Sequence, residues 1–358
     1  QGARVLVLDS GIDPNHPDLK GRFEKGQAFM GNVLTDKIGH GTHVSGTILA
    51  DGAGSGLYGV APEARLLMAK VCDTTCSSAG IAKGVNWGIA EKVDVMNLSL
   101  GGPFLFPSQK KAYEKAEQAN IIVVAAAGNS GGASLSYPAA LPSVFSVGAV
   151  TPTLEKAAFS QYGPSLDAVA PGVEVYSTVP VGFGRASTVK LDLGNGVEEV
   201  KSMGFQNSDP GAKITNGNLV FAKLGNPQDF NGQDFNGKVA LIERGIIEFE
   251  KKVTNARNAG AIGVIIFNNE PGLISGGLTT KVTIPVAMIE QTVGQSVVAQ
   301  LKSTPIASEM GMVATDFANF QGTSMASPHV AGLMALVRSV NKTMTAAEVR
   351  ALVRSTAT

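Results

Sequence analysis

The sequence predicts an α/β fold: a mostly parallel sheet with helices on both faces, plus an inserted β-rich module. Three observations predict it. Short runs dense in Val, Ile and Leu alternate with amphipathic stretches through the first half of the chain. These runs end in Asp, Ser, Gly or Asn, the residue types expected where such sheets keep their ligand crevice. Beyond about Pro180 the chain turns into short strands and turns, and after Met312 the earlier style resumes.

In order, "RVLVLDSGI", "RLLMAKV", "VDVMNLSLGG", "NIIVVAAAGNS" and "VFSVGAV" read as strands buried on both sides, because they are near-continuous apolar runs. Between them "SAGIAKGVNWGIAEK" and "PSQKKAYEKAEQAN" carry apolar residues at helical spacing with charges opposite. Alternation of this kind predicts parallel strands joined by crossover helices. Residues 183–312 hold "GNLVFAKLGNPQDFNGQDFNGKVALIERG", "AIGVIIFNN" and "VTIPVAMI", with one helical stretch, "IEFEKKVTNARNAG", ending on a glycine stop. We read this segment as a domain inserted in a surface loop of a host domain made of 1–182 and 313–358.

Acidic and basic residues balance at 29 each, so nothing marks the chain for nucleic acid or an anionic membrane. No apolar run reaches the length of about eighteen residues that a spanning helix needs. The opening "QGARVLVLDSGI" reads as a strand and not as a leader, as in a processed chain or a cytosolic one. The two cysteines, Cys72 and Cys76, are spaced to close a small ring, which would favour an oxidising compartment. Two free buried thiols are the alternative, and a metal site lacks adjacent ligands.

Three segments carry candidate chemistry. Asp9 ends the run "VLVLDSGI", His40 opens "GHGTHVSGTILA", and Ser324 lies in "FQGTSMASPHVAGLMAL". Singly each has a plain structural use: a turn cap, a packed histidine, a helix cap. Together they supply an acid, a base and a nucleophile beside glycines at element ends. The order Asp, His, Ser excludes an α/β-hydrolase and differs from the chymotrypsin order.

"VLDSGIDPNHPDL", "GHGTHVSGTI" and "GTSMASPHVAG", in this order, resemble the three signature regions of the subtilisin-like serine proteases. "GVAPEARLLMAKV", "YPAALPSVFSVGAV" and "FSQYGPSLDAVAPGVEVYST" extend the likeness over nearly everything outside the insert. The resemblance implies that His40 takes the Ser324 proton as the hydroxyl attacks a peptide carbonyl, while Asp9 fixes the tautomer of His40. It implies Asn129 in "AAAGNS" as donor to the oxyanion, a group whose loss costs about 2.7–4 kcal/mol in subtilisin. Ser99, Leu100, Gly101 and Gly102, with Ala126, Ala127 and Gly128, would pair with an extended substrate and wall its P1 pocket. Ser136 stands where the family commonly has glycine, which bears on the depth of that pocket. His43 and His329 are expected to pack or to support the catalytic residues from behind, and Asp36 and Asp94 to be loop and strand-end carboxylates.

The insert resembles a protease-associated domain, through "FNGKVALIERGIIEFEKKVTNARNAGAIGVIIFNN" and "TIPVAMI", and carries no nucleophile–base set of its own. No catalytic cofactor is implied. Structural calcium is implied at Asp18, with Asp51 near by, and at Asp167, although a hard cation wants about 6–8 oxygens. The family usually has a helical segment before the first motif and a further C-terminal stretch, both expected here to be processed or omitted. The expectation is a secreted, monomeric endopeptidase of broad specificity with an apolar P1 preference. It would act on proteins and peptides, bind no nucleic acid or membrane, and fold with a propeptide later removed. The rivals are an inactive relative used for binding and a narrow processing protease or exopeptidase.

Overall fold

The computed structural model describes residues 2–194, 196–274 and 276–357. The described chain divides into two compact units, Gly182–Thr315 and the stretches up to Val181 and from Asp316 onward.

The larger unit is built on seven strands: β1 (Arg4–Asp9), β2 (Phe23–Ala28), β3 (Arg65–Lys70), β4 (Val95–Leu98), β5 (Ile122–Ala126), β6 (Val144–Val150) and β7 (Ala168–Pro171). They form one sheet in the order β2-β3-β1-β4-β5-β6-β7, with every neighbouring pair parallel. A short strand β8 (Val175–Thr178) comes next. The helices are α1 (Pro17–Lys20), α2 (His40–Leu49), α3 (Ser78–Ala90) and α4 (Pro107–Gln118). The apolar runs are continuous because each strand feeds two cores. Val5 and Val7 face one, Leu6 and Leu8 the other, and the same alternation divides Leu66 and Met68 from Leu67 and Ala69. Each large apolar side chain among them, fully buried, contributes about 1.5–3 kcal/mol. Cys72 and Cys76 are disulfide-bonded just beyond β3.

The second unit contains β9 (Gly184–Asp192), β10 (Val197–Val200), β11 (Ser202–Gly204), β12 (Gln206–Ser208), β13 (Lys213–Phe221), β14 (Val239–Glu243), β15 (Gly263–Phe267), β16 (Gly277–Val282), β17 (Val286–Ile289) and β18 (Ala307–Thr315). Eight of them make a mixed sheet, β10-β9-β18-β13-β14-β15-β17-β11, parallel from β13 to β17 and antiparallel elsewhere. Helix α5 (Phe249–Asn258) lays Val253 and Ala256 on one face, and α6 (Gln291–Gln300) lays Val297 on the other. "VALIE", "GVIIF" and "VAMI" are the central strands that feed both of these cores.

The chain then resumes the first unit with β19 (Phe317–Phe320), paired to β8, and the helices α7 (Thr323–Val340) and α8 (Ala346–Thr356). The cluster that includes Val44 and Ile48 of α2, Met325 and Val330 of α7 and Val349 of α8 covers one sheet face. Ile81 and Val85 of α3 with Ala112 and Tyr113 of α4 cover the other. Among the described residues no helix is long and apolar enough to cross a membrane.

Candidate active site

The order of the sheet assembles the site. Because β1, β4 and β5 are adjacent and parallel, their C-terminal ends bring Asp9, Ser99 and the Ala126–Asn129 segment to one edge. Helix α2 starts with His40 above this edge. Gly41 permits the approach, because a β-carbon there would collide with Gly11 O and lie 3.2 Å from Asp9 Cβ. His40 Nδ1 lies 2.7 Å from Asp9 Oδ1, which also accepts from Ser10 N at 2.7 Å. Asp9 is 2% exposed, whereas the His40 side chain keeps 28% of its surface, so the base is reachable and its partner is not. Burial pulls the His40 pKa down, but the Asp9 charge and hydrogen bond, with the Asp36 charge behind them, outweigh it. The imidazole is held above its usual value.

Ser324 arrives on the first turn of α7. Its hydroxyl donates to Ser99 O at 3.0 Å, and no hydrogen bond joins it to His40 in this structure. Hydroxyl–base contacts commonly tighten only when substrate is bound. Pro328, inside α7, explains a second link. Lacking an N–H, it leaves the carbonyl four residues earlier without a helical partner. That carbonyl is Ser324 O, and the Ser99 hydroxyl donates to it at 2.6 Å. Asn97 Nδ2 in turn donates to Ser99 Oγ, and Ser327 Oγ donates to Asn97 Oδ1.

Asn129 is oriented by its neighbour in the same way. Its Oδ1 accepts from Thr323 N and Thr323 Oγ1, both at 2.9 Å, and Thr323 Oγ1 accepts from Gly128 N at 3.1 Å. With the carbonyl end occupied, the exposed amide NH₂ is the end left to donate beside Ser324. Between the segments Ser99–Gly102 and Ala126–Gly128 lies Ser136. Its Cβ stands 3.1 Å from where a β-carbon on Gly101 would sit, and its N–H donates to Ala127 O. Its hydroxyl donates to Gln161 Oε1 at 3.2 Å, while Gln161 Nε2 donates to Ser134 O. A β-carbon on Gly128 would collide with that amide, so the glycine backbone lies directly on it.

Ser10, Asn97, Gln161, Thr323 and Ser327 join the site without having been singled out by sequence. The one signal for them is polar residues inside otherwise apolar runs, as in "VMNL" and "GTSMAS". His43 packs, while His329 is half-buried and bonds Met325 O in its own helix turn through Nδ1. His43 Nε2–H is shared by Val175 O and Ala318 O while its ring stacks on Phe320, and burial, helped by the His40 charge, pushes its pKa down to about 3.

Asp18, Asp51 and Asp167 are each engaged by protein donors. Asp18 is fully buried, and its oxygens accept from Gly54 N, Ser55 N and Ser55 Oγ. Asp51 is taken up by Ala53 N and the Arg22 guanidinium. Asp167 accepts from Ser146 N and Oγ and pairs with Arg354. Among the described residues no three His, Cys, Asp or Glu side chains gather to hold a metal. Asp167 has two donors on each oxygen, while Asp18 has two on Oδ1 and one on Oδ2.

Known proteins bear directly on this arrangement. The Subtilase family profile matches residues 1–197 and 277–358, and the PA domain profile matches residues 214–297. Subtilisin E of Bacillus subtilis (strain 168) is 44% identical over 188 residues, which is 50% of this chain and 49% of that protein. The minor extracellular protease Vpr of the same organism is 28% identical over all of this chain and 48% of its own length. The chain thus spans about half the length of these curated relatives. Among solved structures, the psychrophilic subtilisin-like protease Apa1 from the Antarctic psychrotroph Pseudoalteromonas sp. AS-11 superposes with a TM-score of 0.67. It is 28% identical, over 99% of this chain and 87% of that one. A seven-stranded parallel sheet that gathers acid, base and hydroxyl at one edge, under a profile matching most of the sequence, makes this chain a member of the subtilase family, with a protease-associated domain.

Proposed function

We propose that the chain is a secreted serine endopeptidase in which Asp9, His40 and Ser324 act as a unit and Asn129 stabilises the oxyanion. The carrying observation is the 2.7 Å pair between buried Asp9 and accessible His40, on the sheet edge where α7 delivers Ser324. His40 takes the Ser324 proton as Oγ attacks the peptide carbonyl, and returns it to the leaving amine. Asp9 holds Nδ1 protonated and stabilises the imidazolium. The oxyanion accepts from Asn129 Nδ2 and from Ser324 N. Water then hydrolyses the acyl-enzyme, with His40 again as base. No cofactor is needed for these steps.

The extended substrate pairs with Ser99–Gly102 and Ala126–Gly128, so main-chain contacts hold it and the pockets read its side chains. Leu100, Ala126 and Ala127 favour an apolar P1 residue, and the Ser136–Gln161 pair limits its length. The Cys72–Cys76 disulfide supports export to an oxidising compartment. Residues 183–312 are proposed as an independent protease-associated module that regulates access of large substrates.

Labelling with a serine-directed covalent reagent tests the nucleophile. Ser324 should carry the adduct, peptide hydrolysis should stop, and Ser324→Ala should fold yet be inactive. Hydrolysis at near the parent rate in Ser324→Ala would sink the assignment.

A further inference from the structure

Asp36 lies outside the acid–base–nucleophile set, four residues before His40, and is 3% exposed. Its two oxygens collect five donors. Oδ1 accepts from Ser10 Oγ at 2.9 Å, from Gly39 N at 2.9 Å and from Ile38 N at 3.2 Å. Oδ2 accepts from Thr42 N at 2.9 Å and Thr42 Oγ1 at 2.7 Å. Helix α2 has Gly39 at its N-cap, with φ +81° and no side chain to offer. The Asp36 carboxylate therefore takes the place of the missing cap, as an anion at a helix N-terminus.

The Ser10 contact makes this more than capping. Ser10 Oγ donates to Asp36 and accepts from Gly41 N at 2.9 Å, while Ser10 N donates to Asp9 Oδ1. The hydrogen bonds close a loop: Asp9 to His40, along the first turn of α2 to Asp36, to Ser10, and back to Asp9. Lys70, 2% exposed, braces it from β3 by donating to Ser10 O at 2.6 Å and Thr35 O at 3.1 Å. We infer that Asp36 is a positioning residue for the base: through Ser10 and the first turn of α2 it sets the seat of His40 against Asp9, and its fixed charge favours the imidazolium that forms during turnover.

The charged and titratable groups around His40 are few. Asp9 meets it from β1, Asp36 from the preceding loop, and His43, held neutral, from its own helix. Lys37 neighbours Asp36 in sequence, and Lys70 on β3 pairs its charge with Asp73 at 2.8 Å. Asp36 is thus the second anion acting on the imidazole, and it raises the His40 pKa along with Asp9. Removing its charge should lower that pKa, whereas removing only its link to Ser10 should loosen the geometry and leave the charge in place.

This inference rests on the serine-endopeptidase reading, and the test separates the two. Hydrolysis of a short chromogenic peptide is followed against pH for the parent, Asp36→Asn, Ser10→Ala and Ser324→Ala. The His40 imidazole is titrated by NMR in the Ser324→Ala background, with and without Asp36→Asn. Asp36→Asn should lower kcat by about tenfold or more with KM little changed, as expected when a base is displaced. Its acid limb and its imidazole titration should both move to lower pH. Ser10→Ala should lose kcat several-fold while keeping the parent midpoint. A fall in Tm with kcat and midpoint at parent values makes Asp36 a helix cap only and overturns the inference, and so does an effect on KM alone. If Asp36→Asn fails to fold, a parent-like kcat in Ser10→Ala overturns it. Hydrolysis unaffected by Ser324→Ala instead overturns the underlying reading, and the NMR titration still decides whether Asp36 acts on His40.

Discussion

Ser136 is the residue at which the proposed P1 pocket is most directly testable. Its β-carbon packs toward Gly101, and its hydroxyl is tied to the Gln161 amide beneath Gly128. The space between the two proposed substrate-binding segments is therefore floored by a polar pair held in place from 25 residues away. Ser136→Gly removes the floor's side chain without changing the walls. The expected outcome is a rise of about tenfold in kcat/KM for a peptide with Phe at P1 relative to one with Ala, in line with what a methylene or two is worth in an apolar pocket. Paired chromogenic peptides differing only at P1 measure it, and an unchanged ratio would remove Ser136 from the pocket. Thr323 illustrates the same scale for catalysis. Its one hydroxyl both donates to Asn129 and accepts from Gly128, so the orientation of the proposed oxyanion donor depends on the residue beside Ser324.

At the scale of elements, α2 links the catalytic edge to the β8–β19 ribbon. His43, one turn after His40, donates to carbonyls on both strands of that ribbon. Its pKa falls to about 3 on folding because burial and the His40 charge oppose a second positive charge. An unfolded histidine binds its proton near pH 6.5, so the unfolded state takes up more protons than the native one between that value and about 3. The stability contribution is thus complete above pH 6.5 and is lost as pH falls, at up to about 1.4 kcal/mol per pH unit. His43→Gln retains a donor but does not titrate. Urea unfolding between about pH 7 and 4 should show a shallower decline for His43→Gln than for the parent, and equal slopes would reject the assignment. His40 has the opposite sign: its raised pKa adds stability at low pH that is lost as pH rises through the folded value, while activity needs the neutral base and rises with pH.

At the scale of the whole molecule, partition of the chain into two units and the protein donors around Asp18 and Asp167 each carry a prediction. Asp18 and Asp167 are satisfied by protein donors, so a chelator should leave the Tm of the catalytic unit unchanged. Differential scanning calorimetry with EDTA and with added calcium checks this, and a clear drop on chelation would restore a metal to the fold. The unit Gly182–Thr315 has two cores of its own, fed from both faces of its mixed sheet. Replacing 183–312 by a short Gly/Ser linker should leave small-peptide kcat/KM largely intact while altering turnover of folded proteins. Equal changes on both substrates would reject a gating role for the insert.

Much of the fold was legible in the sequence. Continuous apolar runs predicted β1, β3, β4, β5 and β6, because a strand covered on both faces needs apolar residues at every position. Motifs dense in glycine marked Asp9 and His40, which the structure pairs at 2.7 Å, because close backbone approach leaves a local mark in composition. The edge strand β2, "FEKGQA", was missed, since a mostly exposed strand carries no apolar run. Local composition did not record bonds between distant residues: Ser99 to Ser324 across 225 positions, Ser10 to Asp36 across 26, Arg354 to Asp167 across 187. A carboxylate in a string of letters is a possible metal ligand, a cap or a positioning group alike. Sheet order and helix placement decide which donors reach it, and those donors made Asp18 a loop anchor and Asp36 the link between Asp9 and His40.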